Sequence, residues 1–105
     1  VARQEYVPGL VNLGNVLYLK RDFAGASAAF ERARKRDPKN PAVLLNIARI
    51  QYEQERFDAA RKSYEALASV DPGLAEQNRY LAQQADAATR ASNAAAQKEN
   101  MAWQE

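Results

Sequence analysis

The stretch that decides the fold is residues 10–38, LVNLGNVLYLKRDFAGASAAFERARKRDP, because residues 44–72, LLNIARIQYEQERFDAARKSYEALASVDP, repeat much of it 34 places later. Several residues are identical at the same position of both copies, and they are of different chemical kinds: an amide, two aromatic residues, a glutamate and an Asp-Pro pair. They are Asn12 with Asn46, Tyr18 with Tyr52, Phe23 with Phe57, Glu31 with Glu65, and Asp37-Pro38 with Asp71-Pro72. A fixed period of roughly 34 residues without an insertion is typical of a stacked helical repeat.

Turn and cap residues divide each copy into two predicted helices. Pro8 and Pro41 suit the first turn of a helix, where the missing N–H is not needed. Asp22 can cap the second helix of the first copy, and Asn40 the first helix of the second copy. Apolar residues recur at helical spacing between these points. The predicted helices cover about residues 8–20, 23–36, 41–54 and 57–69.

The last third of the chain lacks the turn signals of the first two thirds. Between Leu74 and Asn100 there is neither Pro nor Gly, and Ala, Gln, Glu and Arg dominate. Because these residues favour a helix, we predict one long helix over residues 74–100 and a frayed tail at 101–105. We expect the front half of this helix to cover the end of the second copy, which leaves the back half to solvent or to another molecule.

Small, aromatic and proline positions within the two copies form a recognisable pattern. They are Leu13-Gly14, Tyr18, Ala26, Phe30 and Pro38 in the first copy, and Ile47-Ala48, Tyr52, Ala60, Tyr64 and Pro72 in the second. The pattern resembles the tetratricopeptide repeat (TPR) consensus of Leu-Gly, aromatic, Ala, aromatic and closing Pro. Leu10 and Leu44 replace the usual first-helix Trp, and the tyrosines stand one place later than in the consensus. The resemblance covers residues 7–72.

The resemblance implies an all-α fold, a TPR-type solenoid fragment of antiparallel helix pairs with a long C-terminal capping helix. Its parts would be a lead-in at 1–6, repeat 1 at 7–40, repeat 2 at 41–73 and the C-terminal helix at 74–100. It also implies a non-catalytic protein–protein interaction module, because TPR domains typically hold an extended peptide or a partner helix in a concave groove. The alternative is a structural module that self-associates through the long C-terminal helix.

The amino-acid composition excludes most catalytic and metal chemistry. The 105 residues include no His and no Cys, which removes thiolate nucleophiles, Ser–His pairs and nearly every transition-metal site. No pair of Asp or Glu residues stands alone in an apolar setting that would raise a pKa. We therefore expect no catalytic residue, no metal and no cofactor.

Polar and aromatic residues on the first helix of each repeat, and at matching positions of the C-terminal helix, are the candidate groove residues. They are Asn12, Asn15, Tyr18, Asn46, Arg49, Tyr52, Arg79, Tyr80 and Gln83. Side-chain amides form hydrogen bonds with a peptide backbone, tyrosines supply contact area, and the guanidinium of Arg forms two parallel hydrogen bonds with a carboxylate. Two alternatives stay open. Tyr18 and Tyr52 can instead pack helix against helix, and the paired Asn12 and Asn46 can instead join helices by bonding the backbone.

The candidate groove also indicates the kind of partner. Chaperone-binding members of the TPR family grip a free C-terminal carboxylate with a clamp of basic and Asn side chains. The basic positions of that clamp hold Val11, Glu76 and Tyr80 here, so capture of a free C-terminal carboxylate is not expected. Arg49 and Arg79 leave room for an acidic partner segment that binds by a different arrangement.

Nucleic acid and membrane partners are not predicted. The basic residues within 32–39 are interleaved with acidic ones and carry no aromatic for base stacking. No apolar run reaches the roughly 18–20 residues of a membrane span. Because the chain opens with Val1 instead of Met, we expect it to be a soluble segment of a longer protein, and its compartment is not indicated.

Overall fold

The computed structural model describes residues 6–83, and this part of the chain consists of helices and short connecting turns. The helices are α1, Val7–Leu19; α2, Phe23–Arg36; α3, Pro41–Glu53; α4, Phe57–Val70; and α5, Pro72–Gln77. The first four begin and end within one residue of their predicted bounds, and the all-α fold class is confirmed. Within residues 6–83, no helix is both long and apolar enough to cross a membrane.

Side-chain caps begin three of the helices. Oδ1 of Asp22 accepts a hydrogen bond from the main-chain N–H of Gly25 at 2.9 Å. Asn40 caps α3 and Asp71 caps α5 in the same manner. Because these bonds satisfy N–H groups that have no partner within the helix, the local sequence sets where α2, α3 and α5 begin.

Each repeat turns between its two helices through one residue in the left-handed region. Arg21 has a φ of 65° and Glu55 a φ of 60°, and the repeat places them at equivalent positions. In the second repeat, the N–H of Arg56 bonds to the carbonyl of Gln51 at 2.8 Å, and that of Glu55 to the carbonyl of Tyr52 at 2.9 Å. This is the Schellman pattern, in which glycine is the usual left-handed residue.

Glu55→Gly is expected to stabilise the fold by up to about 1 kcal/mol. A left-handed residue with a side chain costs roughly 1–2 kcal/mol, and the greater freedom of glycine in the unfolded state cancels part of the gain. Urea denaturation followed by circular dichroism measures the change. Gln54→Gly is the control, because Gln54 has a φ of −84° and glycine there only adds unfolded-state entropy. A lower midpoint for Glu55→Gly than for the parent would contradict the prediction.

Two apolar clusters hold the helices together. The first joins α1, α2 and α3 through Leu10, Ala26, Phe30, Ala33, Val43, Ile47 and Ile50. The second joins α3, α4 and α5 through Leu44, Leu67 and Ala75. Alanine in both clusters lets neighbouring backbones approach closely, which fixes the helices in a stack in which each pair packs on the next.

The two repeats share one aromatic contact. The ring centroids of Tyr18 and Phe23 are 5.6 Å apart, and those of Tyr52 and Phe57 are 5.5 Å apart, both edge to face. Phe23 and Phe57 therefore have like surroundings, as equivalent hairpins require. Each tyrosine packs the first helix of its repeat against the second, which is one of the two roles that the sequence left open for them.

The structure corrects the prediction of one uninterrupted helix over residues 74–100. Helix α5 ends at Gln77, residues 78–79 form a turn, and residues 80–83 are helical again. Nδ2 of Asn78 donates to the carbonyl of Leu74 at 2.9 Å, which is the acceptor that a continuing helix would use for the N–H of residue 78. Residues 84–105, which include the rest of the predicted helix and the tail, lie outside the described residues.

Residues 72–83 nevertheless pack on the second repeat. Ala75 belongs to the second apolar cluster together with Leu44 and Leu67, and the side chain of Leu81 is fully buried. Apolar burial of this kind removes the end of the second repeat from water. The prediction that the segment after Pro72 covers this end is therefore confirmed for its described part.

Candidate functional site

An open groove of about 380 Å³ lies between α1 and α3. It is lined by Asn15, Tyr18, Leu19, Asn46 and Arg49. Four of these five residues are in the set predicted from the sequence. Stacking of the two helix pairs places α1 beside α3, and Asn15 lines the groove together with its repeat equivalent Arg49.

Tyr18 lies at the centre of the groove and joins its two walls. Its ring is half-buried, and the guanidinium carbon of Arg49 lies 5.5 Å from the ring centroid, within the range of a cation–π contact. Its hydroxyl donates to Oε1 of Glu53 at the long distance of 3.4 Å. Burial, and then the negative charge of Glu53, raise the pKa of this hydroxyl above its usual 10.0.

The asparagine amides of the groove have no hydrogen-bond partner within residues 6–83. Asn15 is exposed and Asn46 is half-buried, and neither side chain hydrogen-bonds to another residue of the described range. The same holds for Asn12, which is exposed on α1. Residues 6–83 therefore contain no bond by which Asn12 or Asn46 would join helix to helix, the alternative role that the sequence left open.

The two arginines among the candidate groove residues, Arg49 and Arg79, differ in their ion pairing. Arg79 lies 3.4 Å from a carboxylate oxygen of Glu76, and this pair is largely exposed. Arg49 is half-buried and has no carboxylate partner within residues 6–83. A half-buried guanidinium without an anion is stabilised by one that arrives with a ligand.

Five of the nine predicted residues do not line the groove: Asn12, Tyr52, Arg79, Tyr80 and Gln83. The rings of Tyr52 and Tyr80 pack edge to face with centroids 5.1 Å apart, and Tyr80 is 43% exposed, so this pair extends an aromatic surface toward α5. Arg79 and Gln83 are exposed and line no part of the groove. Their predicted places assumed a helix that continues through residue 78.

Two charged residues outside the list of candidate groove residues, Arg21 and Glu53, form an ion pair next to Tyr18. The guanidinium of Arg21 lies 3.7 Å from Oε2 of Glu53, whose other carboxylate oxygen accepts from Tyr18. The spacing of four residues between Arg49 and Glu53 on one predicted helix was a signal for Glu53. Leu19, also outside the set, is 79% exposed and adds an apolar contact surface.

A family model described as tetratricopeptide repeat matches residues 17–85, more than half of the chain. The chain belongs to the tetratricopeptide repeat family. TPR repeats serve in general as scaffolds for protein–protein interaction. No curated protein gives a significant match.

The TPR assignment agrees with the helix pairs of the described structure. The match begins near the end of α1 and runs through α5 into the helical residues after the turn at 78–79. It thus includes the whole of α3, with the groove residues Asn46 and Arg49, and the segment that packs on the second repeat. In the described part of this TPR domain, no group of three or more acidic residues is placed to hold a metal ion.

Proposed function

We propose that this chain is a non-catalytic interaction module that binds a peptide or a helix of a partner protein in the groove between α1 and α3. One observation carries the proposal. The groove brings together one aromatic ring, two asparagine amides and a half-buried guanidinium. Within residues 6–83, neither amide has a hydrogen-bond partner and the guanidinium has no carboxylate partner.

These groups match the chemistry of an acidic peptide segment. Asn15 and Asn46 each offer a donor and an acceptor to a peptide backbone. The planar guanidinium of Arg49 can form two parallel hydrogen bonds with an Asp or Glu side chain, and its contact with the Tyr18 ring fixes its orientation. Tyr52 and Tyr80 continue the surface with aromatic area, which is enriched at the energetic centres of protein interfaces.

A selection experiment tests the proposal. A phage-displayed library of random short peptides is panned against the folded chain, and an enriched sequence is synthesised and titrated by fluorescence polarisation. We expect the enriched sequences to contain Asp or Glu. Arg49→Ala together with Asn46→Ala is expected to raise the dissociation constant by about 10–100-fold, because a hydrogen bond to a charged group contributes about 1.5–3 kcal/mol.

The control removes the same kinds of group elsewhere. Gln54→Ala together with Arg56→Ala takes away one amide and one cation at exposed positions outside the groove. This variant is expected to bind the peptide as the parent does. Equal loss of binding in both variants would show a general charge effect, and no loss in the groove variant would refute the proposed site.

A further inference from the structure

Helix α3 carries an arginine and a glutamate at a spacing that permits an ion pair. Arg49 and Glu53 lie four residues apart, so their side chains share one face of the helix. Within residues 6–83, however, the carboxylate of Glu53 pairs with Arg21, and Arg49 has no carboxylate partner. Arg49 therefore keeps its charge uncompensated although an acid lies one turn away.

The partners of Glu53 come from the end of α1 and from the turn that follows it. Oε1 of Glu53 accepts a hydrogen bond from the hydroxyl of Tyr18 at 3.4 Å, and Oε2 lies 3.7 Å from a guanidinium nitrogen of Arg21. Each contact is long and open to solvent, so each is weak on its own. Together they direct the carboxylate of Glu53 toward the first repeat.

The aromatic pair of the first repeat fixes the position of Arg21. The guanidinium carbon of Arg21 lies 4.9 Å from the ring centroid of Phe23, within the range of a cation–π contact. The Phe23 ring in turn packs edge to face against Tyr18. The two groups that contact Glu53 thus belong to one packed unit at the end of the first helix pair.

Two weak contacts suffice because the alternative pair is also weak. In an ion pair between residues four apart on a helix, the order with the base first is the less favourable one, and Arg49 precedes Glu53. Tyr18 contributes to both sides of this balance. Its ring lies 5.5 Å from the guanidinium carbon of Arg49, and its hydroxyl bonds to Glu53, so the two charges contact different parts of one side chain.

We infer that Tyr18 and Arg21 are positioning residues of the groove, which hold Glu53 away from Arg49 and keep the Arg49 guanidinium available to a carboxylate of the ligand. This inference rests on the proposed function and deepens it, because it names the residues that prevent the groove from neutralising its own cation. Without the two contacts, Glu53 would pair with Arg49 and compete with an acidic ligand.

Hydrogen exchange at the guanidinium of Arg49, followed by NMR in the isotope-labelled chain, tests the hold on Glu53 without any ligand. Tyr18→Phe with Arg21→Gln removes both contacts of Glu53 and keeps the aromatic ring against Arg49. This double variant is expected to slow exchange of the Arg49 Nε–H by at least about twofold, because that group then bonds to a carboxylate. Adding Glu53→Gln to the double variant is expected to restore the parent rate.

Binding of the acidic peptide enriched by panning, measured by fluorescence polarisation, tests the consequence for the groove. The double variant is expected to raise the dissociation constant by about three- to tenfold, and Glu53→Gln in that background should return it to within about twofold of the parent value. Lys20→Gln is the matched control, since it removes the same charge at the exposed position before Arg21 and leaves both contacts of Glu53. This control is expected to change the constant by less than about twofold.

Unchanged exchange at Arg49 in the double variant would overturn the inference. Faster exchange in Glu53→Gln alone would do the same, because Arg49 would then already be paired in the parent. Equal peptide binding by the parent and the double variant, or an equal loss in Lys20→Gln, would also reject it. Failure of the panning would reject the proposed function alone, since the exchange measurement uses the chain without a peptide.

Discussion

Leu81→Ala is expected to lower the free energy of unfolding by about 2–5 kcal/mol, the usual cost of truncating a buried leucine to alanine. The side chain of Leu81 is fully buried although it follows the turn at residues 78–79 by only two positions. Its removal would leave a cavity where this side chain is now buried. Urea denaturation followed by circular dichroism measures the loss.

The effect of Leu81→Ala should also be local. In a stack of repeats each unit contacts only its neighbours, so hydrogen exchange should accelerate in α3 and α4 before it does in α1 and α2. Leu19→Ala is the control, because Leu19 is 79% exposed and its truncation is expected to change stability by less than about 0.5 kcal/mol. A cost below about 1 kcal/mol for Leu81→Ala would show that the segment is not part of the folded core.

Gly14→Ala is expected to destabilise the fold by about 1–3 kcal/mol, although alanine is the better helix former by about 1 kcal/mol. A Cβ atom on Gly14 would lie 2.5 Å from Cζ and 2.7 Å from Cε1 of Phe30. Phe30 is fully buried in the first apolar cluster, so its ring has little space into which to move. Thermal and urea denaturation of the variant measure the cost.

Two comparisons show whether the contact with Phe30 is the cause. Gly9→Ala lies in the same helix, where the new Cβ would be 3.5 Å from the nearest atom of Tyr6. This is an ordinary contact, so the variant should be as stable as the parent or more so. Phe30→Leu supplies space, and Gly14→Ala should cost less in that background than in the parent. Strictly additive effects would reject the steric explanation.

The sequence predicted most of the fold because the relevant signals are local. Asp22, Asn40 and Asp71 bond to N–H groups within three residues, so the starts of α2, α3 and α5 follow from short segments. The 34-residue repeat then indicated which faces stack. For the same reason four groove residues, on equivalent turns of α1 and α3, could be found before the structure.

The predictions that failed concern competition between local preferences and side-chain contacts. Residues 74–100 contain good helix formers, and propensity alone favours a continuous helix. The side-chain amide of Asn78 donates a hydrogen bond to the carbonyl of Leu74, and the helix ends there. The places predicted for Arg79 and Gln83 assumed that continuity, and neither residue lines the groove between α1 and α3. Their part in binding a partner stays a prediction.

By itself, the sequence of this protein determined that there are two like helix pairs, where each helix begins and which residues share a face, because caps, turns and periodicity act over a few residues. Only the tertiary structure decided that Phe30 closes over Gly14, and that Arg49 lies against Tyr18 with no carboxylate partner among residues 6–83. These features depend on the distance between atoms of different helices, and residue types and their spacing along one chain do not specify that distance.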